Sequence, residues 1–209
     1  MATLTDVHNL VRALVGERQT PPEVYTDAFL LTISPSVYRE IQRRFGAAGV
    51  QNLIDVAQFN IASGILVAGV GTTGWPAAGI IKPIRLWERP QVSALFSDFV
   101  LMEEADPELQ IRATLATLSH WEWRSYIINF IGASGNVTVR MQYAKYLADL
   151  TAVGDTLLIT NSLDAMAYGT AAQAAESRGA TEKMKAFETM FDTIVQTLID
   201  EDSARKEGA

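Results

Sequence analysis

The sequence predicts an α+β fold: a helical bundle with an inserted antiparallel β-sheet and hairpin subdomain. Three observations predict it. Apolar residues recur at helical spacing near both ends of the chain, around residues 4–45 and 162–198. Between them, residues 81–159 are rich in strand formers and aromatics, with period-two alternation through Trp121, Glu122, Trp123 and Arg124 and again from Val137 to Tyr143. The chain has 209 residues, a length that accommodates one core carrying an inserted subdomain. The expected division is 1–49 for the N-terminal helices, 50–160 for the β-rich insertion and 161–209 for the C-terminal helices and tail.

Each element has a local justification. Residues 4–15 place Val7, Leu10, Val11 and Leu14 on one helical stripe, with Thr3 and Asp6 in capping-box positions and Gly16 as a stop. Paired prolines then forbid a helix. A second helix is expected over 26–45, capped by Thr26 and broken or kinked at Ser34-Pro35, with Gly46 and Gly49 ending it. Residues 53–61 read as a strand, 62–64 as a turn, and the glycine-rich stretch 69–76 as a loop. Residues 81–88 form a strand candidate that Pro83 confines to an edge, and 99–102 add a short strand. A tight turn at Arg124-Ser125 joins the tryptophan strand to residues 126–131, and 132–136 reverse the chain into 137–143, where Val137, Val139, Met141 and Tyr143 share a face. Asn161 or Ser162 caps an alanine-rich helix that ends at Gly179. Thr181 opens the last helix, with Met184, Phe187, Phe191, Ile194 and Leu198 on its apolar stripe and a frayed polar end from Glu201.

Composition narrows the function. The net charge of −7 argues against a surface that grips DNA, because counterion release needs clustered Lys and Arg. There is no cysteine, so disulfides and thiolate metal sites are excluded. The longest apolar run, 61–70, is interrupted by Ser63, Gly64 and Gly69 and falls short of the ~20 residues a span requires. The first residues lack a basic region followed by an apolar stretch, so a soluble chain made in the cytoplasm, with no membrane partner, is expected.

Candidate chemistry is sparse. His8 is expected on the polar, solvated side of the first helix, and His120 in a structural or interfacial place at a strand start. Neither has a nucleophile to serve. Glu103, Glu104, Asp106 and Glu108 form an acidic run. A hydrolase would need such acids paired across a cleft, and neighbours in sequence read instead as a solvated face. The loop at Gly69 lacks the Gly-Lys-Ser/Thr ending of a phosphate cradle. Trp75, Trp87, Trp121 and Trp123 read as core or subunit interface. A carbohydrate-binding module using the tryptophan face is the alternative. No catalysis, cofactor or metal ion is expected.

Several strings carry a family resemblance: Met-Ala-Thr-Leu-Thr-Asp-Val at the start, Tyr25-Thr-Asp-Ala-Phe-Leu-Leu, Val37-Tyr-Arg-Glu-Ile-Gln, Pro83-Ile-Arg-Leu-Trp-Glu-Arg, Trp-Glu-Trp-Arg, and Asp164-Ala-Met-Ala-Tyr168. Over about residues 1–200 the chain resembles the head-to-tail adaptor, or connector, proteins of tailed bacteriophages. The resemblance implies a structural virion protein at the head-tail junction. Copies would form a closed ring of about twelve subunits between the portal protein and the tail tube, nozzle or tail-completion proteins. Packaged DNA would pass through the lumen without sequence-specific binding. Trp121, Trp123, Arg124 and Tyr126 are expected as tail-side or inter-subunit anchors, and Asp200, Arg205 and Lys206 as the portal-facing region.

Overall fold

The computed structural model describes residues 1–17, 24–77, 79–105, 120–130 and 135–207. The fold is α+β, and the chain divides into two compact units: Met1–Asn52 with Leu147–Ala209, and Leu53–Tyr146. The second unit therefore closes at Tyr146. Residues 147–160, expected in the insertion, join the helices instead.

In the helical unit, α1 (Leu4–Val15) starts at a reciprocal capping box. The Asp6 carboxylate accepts from the Thr3 backbone N–H at 2.8 Å while Thr3 Oγ1 accepts from Asp6 N–H, satisfying two orphan donors of the first turn. Gly16 ends the helix at φ 83°. The expected second helix is two: α2 (Asp27–Leu31), capped by Thr26, and α3 (Ser34–Ala48). The break falls at Thr32-Ile33. Pro35 lies in the first turn of α3, where its missing N–H would have no partner anyway. Gly46 is buried inside α3, and the stop is Gly49 at φ 71°.

α4 (Leu163–Glu176) and α5 (Thr181–Glu207) follow, separated at Gly179. The alanines of α4 are buried, and Gly169 lets the helix approach its neighbours closely. A Cβ there would stand 2.5 Å from Val37 Cγ1 and 2.9 Å from Phe191 Cδ2. α5 remains helical through Glu207, against the expected fraying. Its last turns are tied down, since Lys206 Nζ donates to the Gly49 carbonyl at 2.6 Å and Asp202 accepts from Gln51 N–H. The segment before α4 meets the N-terminus as a single bridge, Thr3 with Thr156, flanked by Leu4 N–H to the Asp155 carbonyl and Leu157 N–H to the Ala2 carbonyl, both 2.9 Å. Leu150, Leu157 and Ile159 bury their side chains, which explains why a strand-like apolar pattern belongs to this unit without forming a sheet.

Among the described residues, the sheet unit contains two four-stranded sheets where one was expected. The first has the order β1-β8-β3-β4, from β1 (Ile54–Ile61), β8 (Val137–Lys145), β3 (Ile80–Pro90) and β4 (Val100–Leu101). The second has the order β2-β7-β6-β5, from β2 (Val67–Ala68), β7 (Ile127–Phe130), β6 (His120–Arg124) and β5 (Glu103–Glu104). β5 and β6 pair in parallel, so the sheets are not wholly antiparallel. One apolar core draws on both sheets, with Phe59, Leu86, Val139 and Met141 from the first and Trp121, Ile128 and Phe130 from the second. The first and last strands of the unit are adjacent, with Ile54 opposite Ala144. Entry and exit thus lie side by side, which is what an insertion between helices requires. β3 is an interior strand at Trp87 and Glu88, where β4 pairs with it. At Pro83, between two register shifts, β8 is the one paired strand among the described residues, so the edge character expected of proline holds locally.

Candidate interaction surface

The β6–β7 hairpin turns on Ser125 and Tyr126, one residue later than expected. Both have positive φ, 53° and 63°, the requirement of a type I′ turn whose twist matches its strands. A tyrosine in the left-handed region is disfavoured by about 1 kcal/mol, and it presents its ring at the tip, 73% exposed and edge-on to Trp123 at 6.3 Å. Arg124 is exposed beside it. Trp121 is only 3% exposed, lies opposite Phe130 and belongs to the core, so it is not a surface anchor. Trp123 is half-buried against the same core. Of the four expected anchors, the structure exposes Arg124 and Tyr126 and leaves Trp123 partly exposed.

Next to this tip lies the glycine-rich loop. The two line a groove of about 590 Å³ whose walls include Val67, Val70, Thr72, Tyr126 and Ile127. The loop is fastened by Thr72 N–H to the Gly69 carbonyl at 2.9 Å, Gly69 N–H to Thr72 Oγ1 at 3.1 Å and Trp75 N–H to the Thr72 carbonyl at 2.9 Å. Gly74, at φ 88°, packs so closely on β1 that a Cβ would stand 2.5 Å from the Gln58 carbonyl oxygen. Gly69 packs closely too, since a Cβ there would stand 2.8 Å from Ile127 Cγ2, whereas a Cβ at Gly71 would meet open space. The next described element is the strand β3, not a helix whose N-terminus would cradle a phosphate. Val70 stands 95% exposed at the loop crest.

A second patch escaped the sequence reading. Val92, Leu95, Phe96, Val100 and Leu101 are all exposed within ten residues. Arginines stack into the same region: Arg140 lies over the Phe96 ring at 4.6 Å and the Trp87 ring at 5.4 Å, and Arg89 over Phe99 at 4.6 Å. The signal available was a run of apolar residues inside a Pro- and Ser-punctuated loop, where no periodicity buries them.

The polar candidates resolve differently. His8 is fully buried, a correction to the solvated place expected for it. Its Nδ1 lies 2.9 Å from Asp27 Oδ1, its Nε2 3.2 Å from Ser34 Oγ, and Arg12 Nη2 reaches the same Asp27 oxygen at 2.5 Å. Burial pushes the His8 pKa down. The hydrogen bond from His8 holds the Asp27 carboxyl below its ordinary range. This network joins α1, α2 and α3. Glu103 and Glu104 are exposed in β5, with Glu103 3.5 Å from His120, while Asp106 and Glu108 fall outside the described residues. Adjacent strand residues point to opposite faces, so Glu103 and Glu104 do not oppose each other across a cleft. Among the described residues no three His, Cys, Asp or Glu are grouped to hold a metal ion. Of the four tryptophans, Trp121 is buried and Trp75, Trp87 and Trp123 are half-buried.

At the C-terminal end, Lys206 is held by Gly49 and by Asp202 at 2.7 Å, so it fastens α5 to the end of α3. Asp200 accepts from Gln196 Nε2 at 2.8 Å, and Arg205 lies 3.9 Å from Glu201; both are exposed. The structure keeps these three on one helix. No protein-family model matches the sequence, and no curated protein matches it.

Proposed function

We propose that this chain is a structural subunit that assembles with copies of itself into a ring joining a phage capsid portal to its tail, and that it acts by binding and not by catalysis. The observation that carries the assembly reading is the exposed apolar run at Val92, Leu95, Phe96, Val100 and Leu101, since contiguous apolar surface on a soluble chain marks an interaction site. The hairpin tip with Tyr126 and the groove beside it supply a second, different patch. A ring needs two unlike patches per subunit, because heterologous interfaces close head to tail. The portal-tail assignment rests on the resemblance of residues 1–200 to head-to-tail adaptors.

The mass of the purified protein, alone and mixed with cognate portal rings, tests the reading. The expected result is a closed assembly of about twelve copies, free or seated on the portal. A chain that stays monomeric under both conditions overturns it.

A further inference from the structure

We propose that the open edge of β4 takes an extended segment of a partner chain as an added strand, with carboxylates on the alternate residues that face Arg85 and Arg140. The inference rests on the assembly reading for its setting, since the exposed apolar run includes this edge, and it names the chemistry of what covers it.

The register opens the edge. Leu101 stands opposite Trp87, and the next residue, Met102, donates its N–H to the Leu86 carbonyl at 2.9 Å. Bonded and non-bonded pairs alternate along an antiparallel ladder, so the Leu101 N–H and C=O point away from β3. Among the described residues no strand pairs with β4 on that side. Val100 and Leu101 are 64% and 57% exposed. The opposite edge of the same sheet is closed by its own chain: Asp55 Oδ1 accepts from Val56 N–H at 2.8 Å, and Gly74 packs on the Gln58 carbonyl. A bare apolar edge is a template for another strand.

Charge names the occupant. Directly opposed residues share a face. Leu101, Trp87 and Arg140 stand in one row of the outer face, and Arg85 is opposite Gln142, Lys82 opposite Ala144 and Arg89 opposite Thr138 on that same face. Among the described residues no Asp or Glu occupies a register position there. The carboxylates near it in sequence are placed elsewhere. Glu88 is opposite Val139 and buried on the other face, Asp98 accepts from Ser93 Oγ, and Glu103 and Glu104 belong to the second sheet. Arg140 lies over the Trp87 and Phe96 rings, and neither it nor the exposed Arg85 has an ion pair among the described residues. Stacking fixes a guanidinium and leaves its N–H edge to meet an oxyanion in a two-pronged bond. An added strand turns every second side chain to this face and the others to the side of exposed, apolar Val100. The matching segment therefore alternates acidic and apolar residues. A single-stranded nucleic acid fits less well, because it has no amide ladder for the Leu101 backbone and covers no aliphatic side chain such as Val92 or Leu95.

The test uses the full chain, diluted until native mass shows single chains, with a synthetic peptide of alternating Glu and Val as the probe. The expected result is a one-to-one complex that weakens with salt. Two forms of the peptide, each N-methylated on one alternating set of amides, are expected to differ, since methylation of the set that faces β4 abolishes binding and methylation of the other spares it. R85E/R140E and, separately, L101P are expected to weaken binding about tenfold or more. Proline is tolerated where an edge N–H faces solvent, and circular dichroism confirms folding. R85E alone, at an exposed site, carries the charge test if the double variant misfolds. Failure of the acidic peptide to bind, equal binding of its Lys-for-Glu counterpart, or equal binding of the two methylated forms overturns the proposal. So does a labelled single-stranded oligonucleotide that binds wild type and is released by R85E. Peptide failure in a chain that still assembles at higher concentration leaves the ring reading intact. A chain that binds the peptide yet never assembles, alone or with portal rings, overturns the ring and keeps the strand site.

Discussion

His8 is the most constrained polar residue of the helical unit. With a neutral ring, its Nδ1–H donates to Asp27 and the Ser34 hydroxyl donates to Nε2. With a protonated ring, Nε2–H donates to Ser34, whose own proton turns to the Leu30 carbonyl 2.9 Å away. The serine thus accommodates both states, yet burial favours the neutral one. A histidine whose folded pKa lies below its ordinary 6.5 contributes stability that is complete above that value and is lost as pH falls through the folded pKa. Asp27, also depressed, adds a loss at lower pH, below its ordinary 3.8. Urea denaturation should therefore show wild type weakening as pH drops from about 7 to 5, with H8Q flatter over that window. H8A should cost about 2–4 kcal/mol at neutral pH, because it leaves a cavity and removes the buried hydrogen bonds from the ring to Asp27 and Ser34. An H8A variant as stable as wild type would remove this network from the account of the fold.

At the scale of elements, two substitutions separate packing from turn chemistry. Replacing Gly169 with alanine improves helix propensity by about 1 kcal/mol, but the new methyl meets Val37 and Phe191 from two other helices. Overpacking between such neighbours costs about 1–3 kcal/mol, so G169A is expected to lower the urea midpoint. A raised midpoint would show that α4 can shift. At the hairpin, S125N/Y126G supplies the residues a type I′ turn prefers and should raise the melting temperature, while removing the exposed ring. If Tyr126 is a docking anchor, this more stable variant assembles less well; unchanged assembly would exclude the tip from the interface. Elements set by local signals were legible in the sequence: the Thr3–Asp6 box fixed the start of α1, and alternation gave the buried face of β8. Non-local pairings were not. The parallel β5–β6 pair and the partition of β7 and β8 into different sheets depend on strands far apart in the chain. Nor was the burial of His8, whose carboxylate partner lies 19 residues away. Among the candidate anchors, period-two alternation put Trp121 and Trp123 on one face, but it cannot say whether that face is core or surface. A second sheet covers it.

Across the whole molecule the charge is uneven. The acidic excess of −7 is concentrated in residues 147–209, while residues 53–146 hold eight carboxylates against seven cations. Exposed carboxylates along α4 and α5 create a potential that repels a phosphodiester backbone. A ring whose lumen is lined by such helices would let packaged DNA slide. The isolated protein is accordingly expected to leave a labelled 30-base-pair duplex unbound at about 150 mM salt, since weak non-specific binding depends on cations that release counterions. Fluorescence anisotropy over falling salt checks this, and the expected trace stays flat until well below that concentration. Micromolar retention of the duplex at 150 mM, with a steep salt slope, would mean that a cationic surface and not the acidic helices meets the DNA, and the sliding-lumen reading would give way.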